Sequence, residues 1–294
     1  MRNKSSHKLK LIKFRSSLTR GLNFDLFSNR YVLALATVSM LVAFIYQLLE
    51  GDLASMFWSV PYVGVYSFLI WALAREIDPD HNLTAYISSA LSAVLLVFMP
   101  VYFNQALLLI FLLVVLSRMI SRINGNKASL IDSVLLTTLT LTITVIGRNF
   151  LVPLFTSIAF LFDFLLIGSN KRAGIFTLIN GLISLYFVYN HGASISQHRL
   201  VGEHFFLILY LVVVFLVYAL FIGRSVQAQD DLNNTKLEDR RIFSVRILFL
   251  WTTAVLSIQG GTTALAGLAG LWIILLTAPL VSLTHKLIKI GPKK

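Results

Sequence analysis

Two aspartates lie inside long uncharged stretches of the chain, where an ionised side chain is costly to place in a bilayer and therefore marks a candidate site. They are Asp132 and Asp163, which stand 16 residues before and 15 residues after Arg148. If Arg148 marks the turn between two antiparallel helices, a rise of about 1.5 Å per residue puts both carboxylates at nearly equal depth. We therefore predict a paired acidic site that binds a substrate or exchanges a proton or cation.

Each aspartate also has a structural explanation. Ser129 and Asp132 have the three-residue spacing of a capping box, in which the aspartate closes the first turn of a helix. Asp163 has no such spacing, but it can extend to the membrane interface or pair there with Lys171 or Arg172. The sequence leaves both explanations open beside the functional one.

A second set of carboxylates lies in two predicted loops on one face of the membrane. The candidates are Glu76, Asp78, Asp80, Asp230 and Asp231. Acidic clusters of this kind can hold Mg²⁺ and a diphosphate, because oxygen ligands suit that ion. Mg²⁺ is the only cofactor that the sequence suggests, and only if the protein is an enzyme. The alternative is a pair of solvated loops whose acids balance basic neighbours.

Four more polar residues cluster near the predicted external face, and they are His191, His198, Glu203 and His204. Imidazoles beside a carboxylate can bind zinc or copper. Their spacing matches no known ligand pattern, so we predict no metal site, and the sequence identifies no catalytic residue.

The elements that position these side chains are apolar helices. The chain is 57% hydrophobic and 13% charged, whereas soluble domains carry about 25% charged residues. Ten apolar stretches approach the length that crosses about 30 Å of hydrocarbon. This predicts an all-α, polytopic helical membrane protein with about ten spans, at 31–49, 53–73, 83–99, 102–117, 128–147, 150–168, 173–189, 204–223, 243–258 and 262–283.

Charge sets the number and direction of the spans. With ten spans and an internal N-terminus, 23 of the 25 Lys and Arg residues face the cytoplasm. Merging the two spans around Pro100 into one kinked helix would leave 11 inside and 14 outside. Because cytoplasmic loops are enriched in Lys and Arg, the first arrangement is favoured. We predict a multi-pass protein of the cell membrane with both termini in the cytoplasm.

The organisation is one transmembrane domain, 31–285, between a basic tail at 1–30 and a second basic tail at 286–294. The first tail is either a basic amphipathic helix on anionic lipid headgroups or a disordered tail that fixes topology. The net charge of +12 comes from tails and loops, so we expect lipid rather than nucleic acid as a partner. Homo- and hetero-oligomers are both compatible with the sequence.

Three functions remain open. Ten spans, short loops and two acids in the spans favour a transporter or permease for a small solute or lipid. The loop carboxylates favour a membrane-embedded enzyme acting on a lipid-linked or phosphorylated substrate at the cytoplasmic face. A non-catalytic scaffold or subunit of a larger complex requires neither set.

Reporter fusions test the topology. Fusions at Asn104, Asn149 and Ile195 are expected to report an external position, and fusions at Arg122 and Thr235 an internal one, because only this arrangement keeps 23 basic residues inside. An internal readout at Asn149 would contradict the ten-span topology.

Overall fold

The computed structural model describes residues 16–18, 24–51, 53–98, 106–192, 202–231 and 233–290. Within those ranges the chain forms ten α-helices, and α8 continues into a π-helical turn at Tyr218–Ile222. The helices are α1 (Phe27–Glu50), α2 (Leu53–Ile77), α3 (Asn82–Phe98), α4 (Ala106–Ser121), α5 (Leu130–Gly147), α6 (Leu151–Leu165), α7 (Lys171–His191), α8 (Gly202–Val217), α9 (Asp239–Gly267) and α10 (Ala269–Ile290).

The outer surface of the helices is apolar. Among the described residues, seven helices are long and apolar enough to cross a membrane, and α3, α4 and α6 are apolar but shorter. Large apolar side chains are exposed along the most peripheral helices, for example Leu49, Ile146, Leu182, Leu185 and Phe206. Such a surface would cause association in water, but it matches hydrocarbon. The protein is a multi-pass helical membrane protein.

The helix α2 lies at the centre of the bundle, where it contacts α1, α3, α4, α9 and α10. Together with α9 and α10 it is among the most buried helices, whereas α1, α7 and α8 are the most exposed. The core around α2 contains fully buried Tyr66, Ile70, Leu113 and Phe249. Residues 83–117 are divided between α3 and α4, and Pro100 lies outside the described residues.

Four connections between helices meet at one end of the bundle, which we call the polar end. The connection 78–81 contacts the connection 223–238, because the Asp80 carboxylate accepts a hydrogen bond from the Gln227 amide. The Asp231 amide of that second segment donates to Ile123 O in the connection 122–129. The Asn170 side chain in the connection 166–170 donates to Ala128 O in the connection 122–129. The even-numbered helices α2, α4, α6 and α8 therefore all end here, at the connections 78–81, 122–129, 166–170 and 223–238.

Two buried arginines of α9 bind the ends of these four helices. Arg241 donates to Ile120 O of α4 at 2.9 Å and to Ile167 O, just after α6, at 2.8 Å. Arg246 donates to Ile77 O of α2 at 2.9 Å and to the carbonyl that follows the π-helical turn of α8. The last carbonyls of a helix have no partner within it and carry partial negative charge. The guanidinium groups supply both the hydrogen bonds and the opposite charge.

The helix α9 is broken near its C-terminal end. Gly261 has φ of 67° and ψ of −152°, a conformation that only glycine adopts without strain. The helical hydrogen bonds resume and α9 continues to Gly267, so that α10 begins at Ala269 rather than at Thr262, where the sequence placed the last span. The glycine pair at 260–261 resembles a turn between spans in sequence, which explains the early boundary.

The hydroxyl of Tyr66 satisfies the backbone at the junction of α9 and α10. It donates to Gly267 O at 3.2 Å and accepts from the Gly270 amide at 3.0 Å. A Cβ at residue 270 would lie 2.6 Å from Ile70 Cδ1, so the close approach of α10 to α2 requires glycine. One phenol on the central helix therefore holds the start of α10 in place.

Removing that hydroxyl should destabilise the bundle. Tyr66→Phe is expected to lower the free energy of unfolding in mixed micelles by about 1–3 kcal/mol, because it leaves a buried amide and a buried carbonyl without partners. Tyr210→Phe, at an exposed position on α8, is the matched control and should change little. Equal stability of the two variants would show that the hydroxyl does not hold the junction of α9 and α10.

Candidate functional site

Asp132 is part of a helix cap. Ser129 Oγ accepts from the Asp132 amide and the Asp132 carboxylate accepts from the Ser129 amide, which is the predicted capping box. The same carboxylate also accepts from Ser16 Oγ at 2.6 Å, and from the amide and hydroxyl of Ser17. Asp132 therefore closes the first turn of α5 and fastens a short part of the N-terminal segment to the polar end.

Asp163 forms a buried ion cluster at the polar end. Its Oδ1 accepts from Arg122 Nε at 3.1 Å, from Arg122 Nη2 at 2.6 Å and from Arg241 Nη1 at 3.1 Å. Lys171 and Arg172, its partners in the sequence-based alternative, are exposed at the start of α7. The carboxylate is completely buried, and two guanidinium groups offset the cost of that burial.

Asp132 and Asp163 are thus held by separate sets of partners. The first accepts bonds from residues 16, 17 and 129, and the second from residues 122 and 241. Asp163 Oδ2 is buried and accepts no hydrogen bond from the described residues. Whether the two carboxylates act together on a substrate or ion stays a prediction.

The carboxylates of the loop after α2 are each bound by the protein. Glu76 accepts from Arg118 Nε at 3.1 Å and from Ser121 Oγ at 3.3 Å, which ties α2 to α4. Asp78 accepts from Thr84 Oγ1 at 2.6 Å and contacts His81 Nδ1 at 2.9 Å. Glu76 and Asp78 are buried, so these bonds hold the end of α2 and the start of α3 together.

The loop after α8 contacts this region, as expected if both acidic loops lie on one face. Asp80 Oδ1 accepts from the amides of Gln227 and Ala228 at 2.9 and 2.8 Å. Asp230 accepts from the Asn233 amide and from the Thr235 hydroxyl within its own turn. The two loops are therefore joined by Asp80, while Asp230 shapes the turn.

The titration of His81 is altered by its contact with Asp78. The hydrogen bond to Asp78 is the main cause, and it raises the pKa of His81 above its usual value of 6.5. The ring also lies edge-to-face with His285 of α10, with ring centroids 5.0 Å apart. Protonated His81 therefore stabilises the connection 78–81 through its bond to Asp78, and this contribution weakens as the pH rises through the raised pKa.

The predicted external cluster is only partly visible, because His198 lies outside the described residues. His191 ends α7 and His204 lies in the first turn of α8. Within the ranges that the structure describes, no group of three or more His, Asp and Glu side chains is arranged to hold a metal ion.

A cavity of about 420 Å³ opens between α3, α8 and the junction of α9 with α10. Its lining is almost entirely apolar, with His204, Thr262 and Trp272 as the side chains that carry hydrogen-bonding groups. Small-ligand pockets typically enclose about 300–1,000 Å³ and combine an apolar wall with a few polar groups. The lining consists of Leu95, Leu96, His204, Leu207, Ile208, Leu211, Thr262, Leu265, Ala266, Ala269, Trp272 and Ile273.

The part of α9 after Gly261 and the start of α10 together supply half of that lining. Thr262, Leu265 and Ala266 come from α9, and Ala269, Trp272 and Ile273 come from α10. Irregular backbone at membrane depth is tolerated where it is buried in protein or lines a cavity. The break and the cavity therefore belong to one structural feature.

Two features of this arrangement escaped the sequence analysis. Arg246 lies inside the span predicted at 243–258, but it was counted only as a charge that sets topology. The cavity depends on residues more than 100 positions apart, which no local pattern connects. The signal that was available is the glycine pair at 260–261 inside an apolar stretch, since glycine-interrupted spans can mark binding sites.

Comparison with known protein families, with curated proteins and with solved structures found no match. The candidate sites are therefore defined by geometry alone.

Breaking the Asp163 cluster should cost stability. Asp163→Asn is expected to lower the free energy of unfolding by about 3–5 kcal/mol, because the buried Arg241 and the partly buried Arg122 lose their counter-charge. Adding Arg122→Gln should cost less than the sum of the two single changes, since it removes one of the uncompensated charges.

Arg172→Gln, at an exposed position on α7, is the matched control. The measurement is unfolding of purified protein in micelles for all four variants. If Asp163→Asn is as harmless as Arg172→Gln, the ion cluster does not stabilise the polar end.

Proposed function

We propose that the protein is a permease for a small, largely apolar solute or a lipid, which binds in the cavity between α3, α8 and the α9–α10 junction. The observation that carries this proposal is that the cavity is lined by the broken helix. Discontinuous helices form the binding sites of many transporters, because a break frees backbone groups and allows the two halves to move separately. Gly261 supplies such a break here.

The proposed topology has ten crossings of the cell membrane with both termini in the cytoplasm. It is supported by the even-numbered helices, which end together at the polar end, and by the basic residues located there. The helices α3, α4 and α6 have only 17, 16 and 15 residues, or about 22–26 Å at 1.5 Å per residue. Their flanking residues or local thinning of the bilayer would complete these crossings.

In this proposal Asp132 and Asp163 support the polar end and do not touch the substrate. Both carboxylates already accept hydrogen bonds from the protein, and Asp163 is neutralised by arginine. The basic tails 1–30 and 286–294 are proposed to contact anionic lipid headgroups, as their charge favours.

The enzyme hypothesis has weaker support. It requires carboxylates that converge on a metal-bound phosphate, whereas Glu76, Asp78 and Asp80 each accept hydrogen bonds from a different part of the protein. A scaffold role does not account for the cavity. We therefore favour the permease.

Cysteine labelling tests whether the cavity opens to both sides. The chain contains no cysteine, so Ala266→Cys introduces a single thiol into the cavity wall. Treatment of right-side-out and inside-out vesicles with a membrane-impermeant maleimide should label this thiol from both sides, because a permease exposes its binding site alternately. Leu185→Cys, on the lipid-facing side of α7, is the control and should remain unlabelled. Labelling of Ala266→Cys from one side only would contradict a permease.

A further inference from the structure

We propose that residues 16–18 form a latch on the polar end, and that a phosphate group on Ser16 releases it. The enzyme that acts on the latch is a protein kinase that selects basic substrates. The latch goes beyond the proposed permease function, because it concerns the attachment of the N-terminal segment and not the cavity.

The latch binds Asp132 through three groups. The carboxylate accepts from Ser16 Oγ at 2.6 Å, and from the amide and hydroxyl of Ser17 at 3.2 and 3.1 Å. Its fourth donor is the Ser129 amide of the capping box, at 3.0 Å. All four donors are hydroxyl or amide groups, so the negative charge of Asp132 is satisfied by hydrogen bonds and not by a cation bonded to it.

The backbone and the apolar side chain of the latch are bound as well. Asn124 Nδ2 donates to Ser17 O at 2.9 Å. Arg118 Nη1 donates to Leu18 O at 3.1 Å. The Leu18 side chain is only 7% exposed and belongs to the apolar core. The latch is therefore docked in one specific arrangement between the end of α4 and the start of α5.

Docking uses the hydroxyl proton of Ser16. Its Oγ donates this proton to Asp132 and accepts from the Leu18 amide at 3.2 Å. A phosphate ester removes the proton and adds a charge of about −1.5 to −2 at pH 7. The phosphate would lie beside the buried Asp132 carboxylate. The lost hydrogen bond and the repulsion between like charges both favour release of the latch.

Ser16 is placed for modification by a kinase. It is partly exposed, whereas Ser17 is buried. Residues 1–15 contain six Lys and Arg residues and no Asp or Glu. Kinases recognise their substrates partly by complementary charge, so this segment suits a kinase with an acidic substrate groove. In the proposed topology the segment faces the cytoplasm, where ATP is available.

The modification is a phosphoryl transfer from ATP to Ser16 Oγ. A bond forms between this oxygen and the γ-phosphorus, and the bond from that phosphorus to the bridging oxygen of ADP breaks. ADP leaves with the bonding electrons, and the hydroxyl proton passes to a base of the kinase.

Thiol labelling measures release of the latch. The chain contains no cysteine, so Leu18→Cys introduces a single thiol that is buried while the latch is docked. Full-length protein in micelles is treated with ATP and a kinase that selects basic substrates, and then with a maleimide. Micelles leave both faces accessible, so the result does not depend on topology. The labelling rate follows the released fraction when docking is fast.

Phosphate is expected at Ser16, located by mass spectrometry of the labelled protein. Ser16→Ala should accelerate labelling about tenfold, the effect of losing one hydrogen bond to a charged group. Phosphorylation should accelerate it at least about tenfold more, because repulsion is added to the lost bond. Ser5→Glu adds a charge elsewhere in the same tail, and as the matched control it should label at the unmodified rate.

Asp132→Asn identifies the cause of release. The substitution removes the negative charge, but asparagine can still cap α5. In unmodified protein it should accelerate labelling, because the latch loses a charged acceptor. In phosphorylated protein it should slow labelling, because the repulsion is gone and the amide can donate to the phosphate. A substitution that merely weakened the start of α5 would accelerate labelling in both forms.

Three results would overturn the proposal. The first is the absence of phosphate at Ser16 after treatment with the kinase. The second is labelling that is unchanged or slower after phosphorylation, which would indicate that Arg118 retains the phosphate. The third is an effect of Asp132→Asn with the same sign in both forms. The permease is judged separately, by labelling of the thiol at position 266.

Discussion

The structure depends on neutralising four helix ends that meet in one place. The helices α2, α4, α6 and α8 bring their unpaired carbonyls and the negative ends of their dipoles to the polar end, where mutual repulsion and unsatisfied hydrogen bonds would separate them. Arg241 and Arg246 of α9 bind all four ends. Asp163 then balances Arg241 and also holds Arg122, so the charge needed to cap the helices is itself compensated. The arrangement explains why a completely buried carboxylate is retained in an apolar helix.

The basic residues at the polar end therefore have a structural role as well. A bias of Lys and Arg is usually interpreted as a topology signal. Here Arg118, Arg122, Arg241 and Arg246 also form specific bonds with carboxylates or carbonyls of neighbouring segments. The opposite half of the bundle has the broken helix and the apolar cavity. The charged polar end is therefore the structural part of the molecule, and the cavity beside the glycine break is its proposed functional part.

Hydropathy placed most of the described helices correctly, because it is a local property of the sequence. The capping box at Ser129 and Asp132 was also predictable from spacing alone. The partners of Asp163 were not, since Arg122 and Arg241 are 41 and 78 residues away and nothing in the sequence selects them over the nearer Lys171 and Arg172. The start of α10 was placed too early because Gly260 and Gly261 resemble a turn, and only the contact with Tyr66 locates the true junction.

The position of the capping arginines in the chain has a consequence for biosynthesis. A membrane protein is made from its N-terminus, so α2, α4, α6 and α8 are all synthesised before Arg241 and Arg246 become available. Until α9 enters the bilayer, the ends of the earlier helices must be hydrated at the membrane surface or held by other factors. Assembly of the polar end is therefore a late, cooperative event, and the last two helices complete the earlier ones rather than simply adding to them.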